Sequence, residues 1–153
     1  MRKSKKQKSY FKEAIELKMK ASRPTTITPF LTVRNARKAL EFYAAAFGTR
    51  ILERHDMPEG KVTARLAIGD AEVFVGDEEP EFNNFSPNTI GGNPVRIVLT
   101  VDDPDAIFTR ALEAGATQIC PVTTEESWKI GKLTDPFGHI WEIGHPLEEN
   151  GES

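Results

Sequence analysis

Apolar and polar positions change period along this chain in a fixed order, and the order occurs twice. Residues 27–33 alternate as a strand does. Ala39, Leu40, Tyr43 and Phe47 then recur at helical spacing, which predicts a helix over 36–47 with Asn35 as its cap and Gly48 as its stop. Strands follow at 50–56, 62–68 and 72–75, separated by the turn "MPEGK" and the hairpin signal Gly69-Asp70. After a Pro-, Asn- and Gly-rich loop over 78–94, the plan returns. It comprises a strand at 95–101, a helix at 105–114, and strands at 118–122, 128–134 and 139–144. Asp102 or Asp103 caps this second helix, Pro104 suits its first turn, and "DPFG" joins the last two strands. Each half reads βαβββ, so the fold class is α+β.

The two halves also match residue for residue. "LTVRNARKALEFYAAAFGTRI" begins at Leu31, and "LTVDDPDAIFTRALEAGATQI" begins at Leu99, an offset of 68. Such a duplication predicts pseudo-symmetry, with offset-related positions facing one shared site. Strand alternation assigns the faces. Leu31, Val33, Val73, Val75, Ile97, Leu99, Trp141 and Ile143 form an apolar face that should carry the helices. Thr28, Phe30, Thr32, Phe74, Arg96, Val98, Thr100 and Glu142 form the opposite face, a mixture that suggests a lined cavity.

Charge divides the chain differently. Residues 1–23 hold nine Lys/Arg against Glu13 and Glu16, a net charge of +7 that leaves −10 for the rest of a chain totalling −3. The segment 1–24 is therefore a basic extension, helical or disordered, with Tyr10, Phe11, Ala14, Ile15 and Met19 on one helical stripe. Met19 is also a second candidate start. The domain is placed at 25–148, with module one at 25–79, a linker at 80–93, module two at 94–148 and a tail at 149–153. An acidic body argues against nucleic-acid binding by the domain, and no apolar run is long enough to cross a bilayer. A single cysteine, Cys120, and no signal-like apolar start lead to the expectation of a cytoplasmic chain.

In order and spacing, "TPFLTVRNARKALEFYAAAFG", "RLAIGDAEVFVGDE", "LTVDDPDAIFTRALEAGAT" and "KLTDPFGHIWEIGHP" resemble the vicinal oxygen chelate superfamily. This is the glyoxalase, bleomycin-resistance and extradiol dioxygenase group, and the phrasing is most like its PhnB-like branch. The resemblance implies two βαβββ modules forming an eight-stranded, cup-shaped mixed sheet with the site inside, in a homodimer. In metal-using members it implies ligands at positions matching Thr28, Phe74, Arg96 and Glu142. Of these only Glu142 has a side chain that ligates, and a divalent ion needs about three such protein ligands. The expectation is a site without metal or other cofactor.

What remains there is Arg96 facing Glu142. One reading makes them an ion pair that replaces the metal and joins the modules. Another has Arg96 bind an anionic group of a small molecule, with Glu142 as acceptor or general base. Phe30 and Phe74 then supply apolar walls and Thr28 a hydroxyl. Trp128 and Lys129, in "ESWKIG", are candidates for the rim, to stack on a ligand and to meet an anion. His139 should face the helices in a hydrogen-bonding role, and Cys120 should be a buried structural thiol. Three functions stay open: a metal-independent small-molecule binder, an enzyme of the lyase, isomerase or dioxygenase kind using Glu142, and a structural or regulatory module.

Overall fold

The computed structural model describes residues 4–148, apart from the side chains at 17–21. The 149–153 tail and the side chain of Met19 lie outside the described residues. The basic extension contains helix α1, Lys5–Ala21. It opens on a reciprocal cap in which the Gln7 N–H donates to Ser4 Oγ and the Ser4 N–H to Gln7 Oε1.

Module one contains β1 (Phe30–Val33), α2 (Ala36–Phe47), β2 (Arg50–Asp56), β3 (Val62–Ile68) and β4 (Ala71–Asp77). The helix falls where the sequence predicts, for the predicted reason. Asn35 Oδ1 accepts from Lys38 N at 3.2 Å, and Gly48 ends the helix at φ +64°, a left-handed conformation. Asp77 then locks the helix to the sheet, its carboxylate accepting from Ala36 N at 3.0 Å and Val62 N at 2.7 Å. The linker carries a short helix α3 (Pro87–Ile90). Module two repeats the order as β5 (Arg96–Thr100), α4 (Pro104–Ala114), β6 (Thr117–Glu125), β7 (Trp128–Thr134) and β8 (Ile140–Pro146). Asp103, not Asp102, caps α4, accepting from Ala106 N at 3.1 Å.

The strands form two four-stranded sheets, ordered β1-β4-β3-β2 and β5-β8-β7-β6. In each sheet the first strand pairs with the last in parallel and the other pairs are antiparallel. The cup is thus two half-sheets whose first strands, β1 and β5, line a common seam. Helices α2 and α4 pack on each other and each covers its own sheet. Leu31, Val33, Val73, Val75, Leu99, Trp141 and Ile143 lie buried beneath them, as alternation requires. Gly131 permits the close crossing of α4. A Cβ there would stand 2.8 Å from Val122 Cγ2 and 2.9 Å from Phe108 Cε2.

A buried polar pin joins the modules. Asp135, in the "DPFG" turn, accepts from the Tyr43 hydroxyl of α2, from Trp141 Nε1 at 2.9 Å, and from the backbone N–H groups of Phe137 (2.9 Å) and His139 (3.0 Å). Four donors satisfy a carboxylate that would otherwise be costly to bury. Burial, together with the adjacent Asp135 charge, pushes the Tyr43 phenol well above its ordinary value. Among the described residues no helix is long and apolar enough to cross a membrane.

Candidate functional site

The residues that alternate away from the helices line the open face of the cup. On module one, Phe30, Phe74, Arg65 and Glu53 stand in a row across β1, β4, β3 and β2. The Phe30 and Phe74 rings stack at 5.7 Å with 10° between their planes. On module two, Val98, Glu142, Lys132 and Cys120 form the corresponding row across β5, β8, β7 and β6. Arg96 enters one step earlier on β5. Its guanidinium reaches Glu142 Oε1 at 3.4 Å, and Lys132 Nζ lies 4.0 Å from the same oxygen.

Three cavities share Val98, and the first two reach between β1 and β5 to residues of both faces. The largest, about 570 Å³, runs along the seam between β1 and β5, with Phe30, Arg96 and His139 in its lining. Phe85, Pro87 and Ile90 of the linker wall it on one side. The second, about 500 Å³, holds Thr28. The third, about 420 Å³, holds Glu142 and Trp128. The candidate residues are thus distributed over adjoining cavities rather than focused on one point.

Lys129 does not join them. It follows Trp128 on β7, so alternation turns it to the other face, where its ammonium pairs with Asp105 of α4. The hydrogen bond and charge of Asp105 hold that ammonium above its usual lysine range. Cys120 departs from the sequence reading: it is exposed, not buried. It sits on the outermost strand, with its side chain on the uncovered face. His139 is hydrogen-bonded at both ring nitrogens. Nε2–H donates to the Thr32 carbonyl at 2.9 Å, and Nδ1 accepts from Asn93 Nδ2 at 3.4 Å.

The linker wall is the part of the site that the sequence reading missed. It is fastened to module one by Glu78, whose Oε1 accepts from Ser86 N (2.8 Å), Ser86 Oγ (2.6 Å) and Thr89 Oγ1. Arg34 adds bonds to Thr89 Oγ1 at 3.1 Å and to the Asn88 carbonyl at 3.2 Å. Partial burial pushes the Glu78 carboxyl up, but the Ser86 and Thr89 hydrogen bonds and the Arg34 charge outweigh it. The group lies below the usual range for a glutamate. Composition marks this stretch as a connector, and no periodic signal in it points to a wall.

The four positions that would ligate a metal in metal-using relatives do not fit one here. Phe74 offers only a hydrocarbon ring, Thr28 belongs to a different cavity, and the Arg96 cation occupies the Glu142 carboxylate. Among the described residues no three His, Cys, Asp or Glu side chains are placed to hold an ion.

The chain belongs to the glyoxalase-like domain family, whose model matches residues 29–143. It is 40% identical over 129 residues to an uncharacterised protein of Mycobacterium tuberculosis, covering 80% of this chain and 75% of that one. The X-ray structure of a gene product from Arabidopsis thaliana aligns with TM-score 0.62 and 27% identity, over 80% of this chain and all of the other (100%). A glyoxalase/bleomycin resistance protein/dioxygenase family enzyme from Burkholderia phytofirmans aligns with TM-score 0.62 at 21% identity, over 77% of this chain and 95% of that one. At that identity the last match speaks to the fold alone.

Proposed function

We propose that this protein is a cytoplasmic, homodimeric small-molecule-binding protein of the glyoxalase/bleomycin-resistance type that works without a metal. Its ligand lies in the cup near Arg96 and Glu142. The observation that carries this reading is the 570 Å³ cavity with Arg96 on its wall, a volume in the ordinary range for small-ligand sites. The Arg96 side chain keeps 60% of its surface exposed while Glu142 keeps 18%. The guanidinium is therefore only partly used by its ion pair, and Arg96 shares its cavity with apolar Phe30, Ile90, Val95 and Val98. A planar fork of that kind suits a carboxylate, sulfonate or phosphate. The exposed side chains of Phe30, Ile90, Val95 and Val98 support both a ligand with an apolar body and a second copy of the chain across the open cup.

Fluorescence titration with anilinonaphthalene sulfonate, an apolar anion, tests the reading. Arg96→Ala should weaken binding about tenfold, the loss of one charge-assisted contact. Unchanged affinity in a folded Arg96→Ala protein would remove the basis of the proposal.

One observation favours a second reading, an enzyme in which Glu142 is the general base. Glu142 is largely buried on the wall of the third cavity beside Trp128. Two cations already answer its charge, which suits a positioned acceptor better than a base free to take a proton. Turnover of any ligand found by the titration, abolished in Glu142→Gln with binding retained, would favour the enzyme.

A further inference from the structure

The offset of 68 relates cavities as well as side chains. The largest lies between residues 29–32 and 95–98 and reaches His139. The second lies between residues 26–29 and 97–99 and reaches Ala71, the offset mate of His139. Each is the image of the other under the duplication, set at opposite ends of the β1/β5 seam. Their chemistry has diverged. Where the first has Arg96, the second has Thr28; where the first has His139, the second has Ala71. His139 bonds to the Thr32 carbonyl and to Asn93, so it ties the turn leading into β8 and the end of the linker to β1 across the seam. Ala71 has no polar side-chain group with which to do the same. Ile90 and Phe85 of the linker wall the first cavity, and the Glu78 and Arg34 bonds, with Asn88 Nδ2 donating to the Pro136 carbonyl at 3.4 Å, hold that wall in place.

We propose that the first seam cavity alone is the ligand site, and that it takes one monoanionic molecule with a compact apolar body per chain. Arg96 receives the anion and the linker wall selects the apolar body. The image cavity has no cation in its lining, where Glu72 is paired with Arg65 at 3.1 Å, and the Asp70 carboxylate disfavours the same ligand by charge. This inference rests on the ligand-binding reading above and specifies where the ligand sits and what class it belongs to.

Two exposed apolar residues provide the test. Ile90, 62% exposed, belongs to the linker wall, and Ile27, 95% exposed, lines the image cavity. In titrations of the full chain with anilinonaphthalene sulfonate, one probe should bind per chain. Ile90→Asp should weaken binding about tenfold by setting a carboxylate against the anion, while Ile27→Asp should leave it unchanged. Ile90→Ser, which adds no charge, should weaken binding by a smaller factor and guards against a misfolded aspartate variant. Two equivalent probes per chain, or an Ile27→Asp effect equal to that of Ile90→Asp, would overturn the assignment. Loss of binding in Arg96→Ala without any effect at Ile90 would sink this inference and leave the parent reading standing. No effect at Arg96 would sink both.

Discussion

Replacing Tyr43 with Phe removes one oxygen from the polar pin between the modules and nothing else. Tyr43 and Asp135 are both buried, and the lost hydroxyl is one of two donors to Asp135 Oδ2, the other being Trp141 Nε1. The ring should stay in place, because Phe42, Phe47, Phe137 and Trp141 pack around it at centroid distances of 5.4, 6.0, 6.2 and 5.8 Å. The apolar and cavity contributions therefore change little. What remains is a hydrogen bond to a buried charge, worth about 1.5–3 kcal/mol. We expect Tyr43→Phe to lose about 2 kcal/mol, a large share of the ~5–15 kcal/mol stability of an ordinary domain. Urea unfolding followed by the fluorescence of Trp128 and Trp141 measures it, as a lowered midpoint with an unchanged slope. A pH series adds an independent sign. The folded phenol titrates above its ordinary value of 10.0 while the unfolded one does not. The folded chain therefore binds the proton more tightly, and wild-type stability should fall as pH rises above about 10. Tyr43→Phe should lack that contribution to the decline. A loss below about 0.5 kcal/mol, the low end for a net hydrogen bond, would mean that Asp135 is satisfied without the hydroxyl and would refute the reasoning.

Other consequences follow from the same geometry. Gly131→Ala should destabilise the protein by about 1–3 kcal/mol, the range for overpacking, because its Cβ would meet Val122 and Phe108 below 3.0 Å; thermal unfolding reads this directly. Glu78 has a lowered carboxyl pKa, so the linker fastening it provides should be complete above the ordinary glutamate value and lost as pH falls through the lowered one. Amide exchange at Ser86 and Thr89 should quicken over that acid window, and Glu78→Gln should make it fast at neutral pH as well. Lys129→Ala should leave ligand affinity unchanged, because its ammonium points to α4; a clear loss of affinity would place that side chain back at the rim.

What the sequence made legible is what depends on local or periodic signals. The helix of module one starts and stops as expected because Asn35 and Gly48 act on their own neighbours. The division of each strand into a helix face and a cup face follows from alternation, and the offset of 68 aligned the two modules correctly. Strand lengths were less legible. The first strand shortens to Phe30–Val33, with Pro29 contributing only its carbonyl, which accepts from Phe74 N at 2.8 Å. β6 extends to Glu125, past irregularities at Cys120 that break the alternation used to find its end. The Tyr43–Asp135 pin links residues 92 apart and leaves no local trace. In the site, the Arg96–Glu142 pair was foreseen because both match ligand positions that the family resemblance implies and both lie on the mixed strand face. Alternation applied one step further would have separated Lys129 from Trp128. The linker was read as a connector because its composition is that of a loop; its contribution to the cavity depends on where the two modules place its ends.

Metal independence of ligand binding is the most direct test of the account. Calorimetric titration of chelator-dialysed, full-length protein with anilinonaphthalene sulfonate should give the affinity of untreated protein, with no change on adding zinc or manganese. Binding that disappears on chelation and returns with the metal would contradict the assignment of the anion to Arg96 and restore a metal to the cup.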